Sequence, residues 1–81
     1  MEIKMYTTPV CGNCKTLNTW AMSKDIDITV CDITQDHKAK AKLVSKGITS
    51  VPVIEIDGSL YIDDLQGLKS IITDSLKSNA A

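Results

Sequence analysis

Two cysteines, Cys11 and Cys14, stand three apart in the stretch Thr7-Thr8-Pro9-Val10-Cys11-Gly12-Asn13-Cys14. Thiols at this spacing exchange disulfides or hold a metal. Exchange needs a thiolate, because the thiolate is the nucleophile. The flanking sequence offers a place that favours one. Ahead of the pair, Ile3-Lys4-Met5-Tyr6 alternates nearly as a strand does. Behind it, Cys14, Leu17 and Ala21 recur at helical spacing, with Trp20 beside them. The pair therefore falls where a strand hands over to the first turn of a helix. Unpaired N–H groups and the positive end of the helix dipole stabilise a thiolate there. The spacing keeps both sulfurs within bonding distance across that turn. Cys11, nearer the helix start and solvent, is the attacking thiolate in this reading. Cys14, more enclosed, is the resolving thiol. Gly12 leaves room for a partner to approach Cys11. Asn13 is polar and compatible with a helix start, and no chemistry is assigned to it.

The metal reading needs further ligands. Cys11, Cys14, Cys31 and His37 follow one another in a C-x2-C-x16-C-x5-H order. A structural zinc site needs four ligands that converge. Here Cys31 falls within a regular strand and His37 in the next helix, and nothing brings them to Cys11. Cys31 reads as a small buried apolar residue and His37 as an exposed one in a lysine-rich run. A zinc-holding or otherwise non-catalytic binding module is the alternative from a different functional class; no metal ligand is assigned.

Composition narrows the rest. Eighty-one residues suffice for one small domain, 1–81, with a modest core. The net charge of −1 supplies no basic field for nucleic acid. Tyr6, Trp20 and Tyr61 are too few aromatics for base stacking. No apolar run approaches the roughly 18 residues of a membrane span. Met1-Glu2-Ile3-Lys4 lacks the apolar core of a signal peptide. The expected compartment is therefore reducing, that is, cytoplasmic. Three cysteines, an odd number, do not make the disulfide framework of a secreted mini-protein.

The elements that must position the pair can be read along the chain. Residues 2–6 form a first strand, with Ile3 and Met5 on one face and Lys4 and Tyr6 on the other. Thr7 to Val10 connect it to a helix from Cys11 or Gly12 to about Ser23. A second strand spans Ile26 to Ile33, with Ile26, Ile28 and Val30 on one face. Thr34 or Asp36 caps a second helix running to about Lys46. Its apolar side is Leu43 and Val44 with Ala39, and Lys38, Lys40, Lys42 and Lys46 form a solvated stripe. Gly47 suits the left-handed stop of that helix, and Ile48 its hydrophobic contact. Val53 to Ile56 and Ser59 to Ile62 are strands joined by an Asp57-Gly58 hairpin turn. Asp63-Asp64 opens a last helix, about Leu65 to Leu76, burying Leu65, Leu68, Ile71 or Ile72, and Leu76. Ser78 to Ala81 read as a loose tail. The order β-α-β-α-β-β-α gives an α/β fold. A crossover makes one parallel pair and the hairpin one antiparallel pair, in a four-stranded mixed sheet with helices on both faces.

Cys11-Gly12-Asn13-Cys14 after the first strand, Ser50-Val51-Pro52 before the third, and Asp57-Gly58 in the hairpin together resemble the thioredoxin superfamily. The short length, without an extra N-terminal βα unit, is similar to the glutaredoxin family. It is most similar to the small redoxins of that family that serve ribonucleotide reductase. The resemblance covers about residues 2 to 76. It implies a thioredoxin fold and a thiol–disulfide oxidoreductase that acts as an electron carrier. It also implies a cis bond before Pro52, turning the backbone of Val51 toward a substrate segment that adds like a strand. The implied partners are a protein disulfide and an electron donor, either glutathione or thioredoxin reductase. The implied acting form is a monomer, with no cofactor beyond the Cys11–Cys14 pair.

The pattern departs from the family in two places. Gly12-Asn13 stands where glutaredoxins usually carry Pro-Tyr. Tyr61-Ile62-Asp63-Asp64 stands where they carry a Gly-Gly turn that admits the γ-glutamyl end of glutathione. Asp63 or Asp64 remains able to meet the glutathione ammonium, yet both have sufficient work as helix caps. The aromatic-Ser-Gly-Phe run of the ribonucleotide-reductase redoxins is also missing after the hairpin, where only Tyr61 matches its first residue.

Overall fold

Three consecutive inward residues set the first strand. A computed structural model describes residues 2–79. In it β1 runs Ile3–Thr7, one residue further than the sequence pattern predicts, with Tyr6 and Thr7 both buried. Helix α1 (Gly12–Ser23) follows, then β2 (Thr29–Asp32), α2 (His37–Ser45), β3 (Val53–Ile56), β4 (Ser59–Tyr61) and α3 (Leu65–Asn79). The sheet order is β2-β1-β3-β4. β1 pairs parallel with β2 and antiparallel with β3, and β3 pairs antiparallel with β4. This is the mixed four-stranded sheet expected from the element order.

Period-two alternation divides the core between the two faces of the sheet. Ile3, Met5, Ile54 and Ile56 pack with Cys14 and Leu17 of α1 and Leu68 and Ile72 of α3. Tyr6 and Val53 pack on the other face with Ala39 and Leu43 of α2. That face also buries a charge. Glu55, 8% exposed, accepts the Tyr6 hydroxyl at 2.6 Å and is paired with Lys42 of α2. Lys42 stays exposed, as its stripe predicts, and its ammonium reaches Glu55 to pin α2 to β3. Val44, predicted on the apolar side of α2, is 60% exposed, because the second cluster is filled by Ala39 and Leu43 alone.

Helix ends account for most boundary differences. α1 stops with Asp25 in the left-handed region at φ 56°. The N–H of Asp25 then donates to Met22 O and that of Ile26 to Ala21 O, the paired bonds of a Schellman motif. Ile26 serves as the apolar contact of this stop, so β2 begins only at Thr29 rather than at Ile26. β2 is an edge strand, which leaves Val30 46% exposed on its expected face. α2 ends the same way: Gly47 sits at φ 74°, Gly47 N–H donates to Val44 O and Ile48 N–H to Leu43 O. Asp36, not Thr34, caps α2, through Ala39 N–H at 3.0 Å. Thr34 instead bonds the carboxylate of Asp32. Asp57 and Gly58 both take positive φ, as the hairpin turn requires. β4 ends at Tyr61, leaving Ile62 half-exposed outside it. α3 continues through Asn79, so Ser78 and Asn79 are helical rather than tail; Ala80 and Ala81 lie outside the described residues.

Candidate active site

The loop after β1 delivers Cys11 to the start of α1. Cys11 itself is the N-cap, in extended conformation, and its Sγ accepts the N–H of Cys14 at 3.2 Å. A side-chain acceptor at this place satisfies one of the four orphan N–H groups of a helix start. Usually a hydroxyl or carboxylate does this; here a sulfur does. The same donor is well placed for the negative charge of a thiolate. Cys11 is partly exposed, and both its chain neighbours, Val10 and Gly12, are open to solvent. A Cβ placed on Gly12 would meet nothing within 4 Å, so packing does not demand glycine there. Asn13 is exposed as well.

Cys14, 2% exposed, lies one turn inward, within the cluster that α1 and α3 form on the sheet. Burial pushes its thiol up to about 11, with the hydrogen bond to Cys11 adding to the rise. Charge is costly in an apolar setting, so the buried sulfur is held as the thiol. Two sulfurs on one turn thus differ in access.

Antiparallel pairing brings the third element to this place. Tyr6 of β1 is opposite Val53, which sets the segment before β3 beside Thr7 and Thr8. Val51–Pro52 is a cis peptide bond, as the resemblance implies. Cys11 Sγ lies 3.8 Å from the carbonyl oxygen of Val51 and donates to it. Pro52 is buried and Val51 partly buried. Residues 40 positions apart in sequence therefore meet at one sulfur.

Asp63 and Asp64 occupy the start of α3. Asp64 Oδ1 accepts Gly67 N–H at 2.8 Å, and Asp63 Oδ1 accepts Asp64 N–H at 2.8 Å. Asp64 thus caps α3, and Asp63 holds the N–H of the cap residue. Gly67 is needed for this: a Cβ there would overlap the Asp63 carboxyl. Sequence reasoning passed over Gly67, although its position in the first turn after two aspartates was visible.

Cys31 and His37 stay away from the pair. Cys31 packs beside the α2 cluster, on the opposite face of the sheet from Cys14. Its thiol donates to Asp36 Oδ2 at 3.6 Å, and burial, then Asp36, push its pKa up. It is partly exposed rather than fully buried. His37 is exposed at the start of α2. Among the described residues no group of three or more His, Cys, Asp or Glu could hold a metal ion. None of the described helices is long and apolar enough to cross a membrane.

Thr7 is a site neighbour that sequence reasoning placed in the loop. It is the last residue of β1 and 8% exposed. The signal was present: carrying the alternation of Ile3 and Met5 one step further points Thr7 inward.

Comparison with known proteins bears on the family and the fold. A family model described as Glutaredoxin matches residues 3–61. A glutaredoxin-like 8.6 kDa protein in the rubredoxin operon of Clostridium pasteurianum, itself uncharacterized, is 38% identical over 61 residues. That match spans 74% of this chain and 81% of the relative. Among solved structures, the thioredoxin-like protein BC3987 superposes with a TM-score of 0.73 at 22% identity, over 85% of this chain and 97% of that one. Its T8A mutant gives 0.75 at 20% identity, over 88% and 99%. The glutaredoxin-like protein NrdH-redoxin from Escherichia coli gives 0.69 at 20% identity, over 75% and 80%. These structures share the fold. The family match and the clostridial relative go further: the chain belongs to the glutaredoxin family and is a thiol–disulfide oxidoreductase of thioredoxin fold.

Proposed function

We propose that this protein reduces protein disulfides by two-thiol exchange, with Cys11 as nucleophile and Cys14 as resolving thiol. The observation that carries this is the unequal setting of the two sulfurs. Cys11 Sγ is partly open to solvent and receives an N–H, while Cys14 is buried behind it. The Cys11 thiolate attacks one sulfur of the substrate disulfide. A mixed disulfide forms, and the first substrate thiolate leaves and takes a proton from water. Cys14 then loses its proton to water and attacks Cys11 Sγ. The Cys11–Cys14 bond forms, and the second substrate thiolate departs. Two electrons pass from the dithiol to the substrate, and the protein is left oxidised. Val51, facing Cys11 through its carbonyl, offers the incoming segment a backbone partner, with Pro52 behind it. Gly12 and Asn13 form the open rim on the helix side. All these groups come from one chain, so a monomer suffices, and a reducing compartment such as the cytoplasm keeps the pair as a dithiol.

The electron donor in this reading is thioredoxin reductase rather than glutathione. The Gly-Gly turn is absent, Asp64 is engaged in capping α3, and Asp63 is bonded to the N–H of Asp64. Ribonucleotide reductase is the acceptor class favoured by the resemblance, and no resident cofactor is required. The test is a paired reduction of the oxidised protein with NADPH, one arm with thioredoxin reductase and the other with glutathione and glutathione reductase. Turnover in the first arm alone is expected. Fast turnover with glutathione would make it a glutathione-dependent glutaredoxin. Silence in both arms would favour a non-catalytic binding module.

A further inference from the structure

The far ends of α1 and α3 meet in a groove of about 460 Å³, lined by Trp20, Lys24, Ile26, Thr73, Leu76 and Lys77. Trp20, Ile26 and Leu76 pack against the core cluster yet stay partly open, so the floor of the groove is apolar. Its walls carry two lysines and no carboxylate. The rest of the surface does not share this pattern. The chain has 10 acidic residues to 9 basic ones. Three other hollows each have carboxylates on their walls: Glu2, Glu55 and Asp57 in one, Asp32 and Asp36 in another, Glu2 and Asp27 in a third. A further cation stands close by, with the Lys69 ammonium 5.8 Å from the centre of the Trp20 ring. Among the described residues, Lys24, Lys69 and Lys77 form no ion pair with a carboxylate. Asp25 and Asp74, the acidic residues nearest in sequence, are exposed and lie outside the lining.

Lysines at helix C-termini have an ordinary use. Lys24 is the C-cap of α1 and Lys77 is in the last turn of α3, where each offsets the negative end of a helix dipole. Each such end amounts to about half an elementary charge. Two lysines, with Lys69 beside them, exceed that demand and leave the groove positive over an apolar floor. We infer that this groove binds a small amphipathic anion, its apolar body on Trp20, Ile26 and Leu76 and its carboxylate between Lys24 and Lys77. The volume is that of a small-molecule site. Burial of the apolar body supplies attraction independent of charge, and the lysines select the anion. Cys11 caps the first turn of α1 and Lys24 caps its last, so the length of the helix, about 18 Å, separates them. A ligand in the groove therefore leaves Cys11 uncovered, and the site is independent of the two-thiol reading.

Trp20 is the one tryptophan of the chain, so its fluorescence reports directly on the groove. The probes are sodium octanoate, below its micellar concentration, and octan-1-ol, its neutral counterpart of equal length. Octanoate is expected to change Trp20 emission along a saturating curve. It should also shift the backbone amide signals of residues 20–26 and 73–77 in 15N-labelled protein. Octan-1-ol should bind about tenfold more weakly, the combined worth of two exposed ion pairs. This comparison on the parent protein stands without any variant. Lys24→Gln/Lys77→Gln should weaken octanoate by the same factor and leave octan-1-ol unchanged. Its reduction of a small disulfide should match the parent, which shows that the variant is folded, since both lysines stand outside the redox site. A response that never saturates, equal affinity for the two probes, or undiminished octanoate affinity in the double variant would overturn the site. Amide shifts confined to residues 8–14 and 51–52 would overturn it too, by placing the anion at the redox pair.

Discussion

Cys14 donates its N–H to the sulfur of Cys11, 3.2 Å away. The sulfur that faces solvent is thus also the cap of the helix that carries its partner. Fold and chemistry share one contact, and variants can separate them.

Serine is among the preferred N-cap residues. Cys11→Ser should therefore keep the helix start, with thermal stability within about 0.5 kcal/mol of the parent, while reductase activity falls to background. Cys14→Ser should form a mixed disulfide with substrate and hold it, detectable as a covalent complex on a non-reducing gel. Full activity of Cys14→Ser on a protein disulfide would show that resolution does not use Cys14.

The Tyr6–Glu55–Lys42 network makes a prediction about acid. Lys42, then Tyr6, hold the Glu55 carboxyl below the usual carboxylate range. The native state therefore favours the ionised form. Its contribution is complete above the unfolded value, near pH 4.3, and is lost as pH falls through the lower native value. Urea midpoints should show the parent ahead of Glu55→Gln at about pH 7, with the gap closing on acidification through that range. A gap that stays constant down to about pH 2 would mean that Glu55 ionisation does not stabilise this fold.

Removing the Tyr6 hydroxyl leaves a buried carboxylate one bond short. Tyr6→Phe should cost about 1–3 kcal/mol in denaturant unfolding. Reductase activity at temperatures well below the melting point should be retained, since the network lies on the α2 face. A change below about 0.3 kcal/mol would show that Lys42 alone satisfies Glu55.

Gly67 and Asp63 should be coupled. Glycine to alanine inside a helix ordinarily gains up to about 1 kcal/mol. Here the new Cβ overlaps the Asp63 carboxyl, so Gly67→Ala alone should be neutral or destabilising. In an Asp63→Ala background the same change should recover the ordinary gain. Equal effects in both backgrounds, measured as a double-mutant cycle, would show that the two residues do not interact.

Asp25 takes a left-handed conformation that costs a side-chain-bearing residue more than glycine. It occupies the place just past α1 where Gly47 stands after α2. Asp25→Gly should raise stability by up to about 1 kcal/mol. A loss of stability would indicate that the aspartate side chain has a compensating role.

Short-range pattern was enough for much of this molecule. Strand alternation, helical spacing and turn residues act over a few positions, so they showed the element order, the Asp57-Gly58 hairpin and the Gly47–Ile48 helix stop. They also placed Cys11 and Cys14 at a helix start, because a strand and a helix must meet there. Contacts between distant segments left no such trace. Nothing near Lys42 indicates that Glu55 will lie beside it, so the pairing of this exposed lysine left no mark in the local pattern. Ile26 looks like a strand residue and becomes a helix stop, because Asp25 accepts a left-handed turn that local pattern does not favour. The antiparallel pairing of β3 against β1 is likewise invisible in the local pattern. That same pairing carries Val51 to Cys11, a contact between segments 40 positions apart that only the sheet could decide.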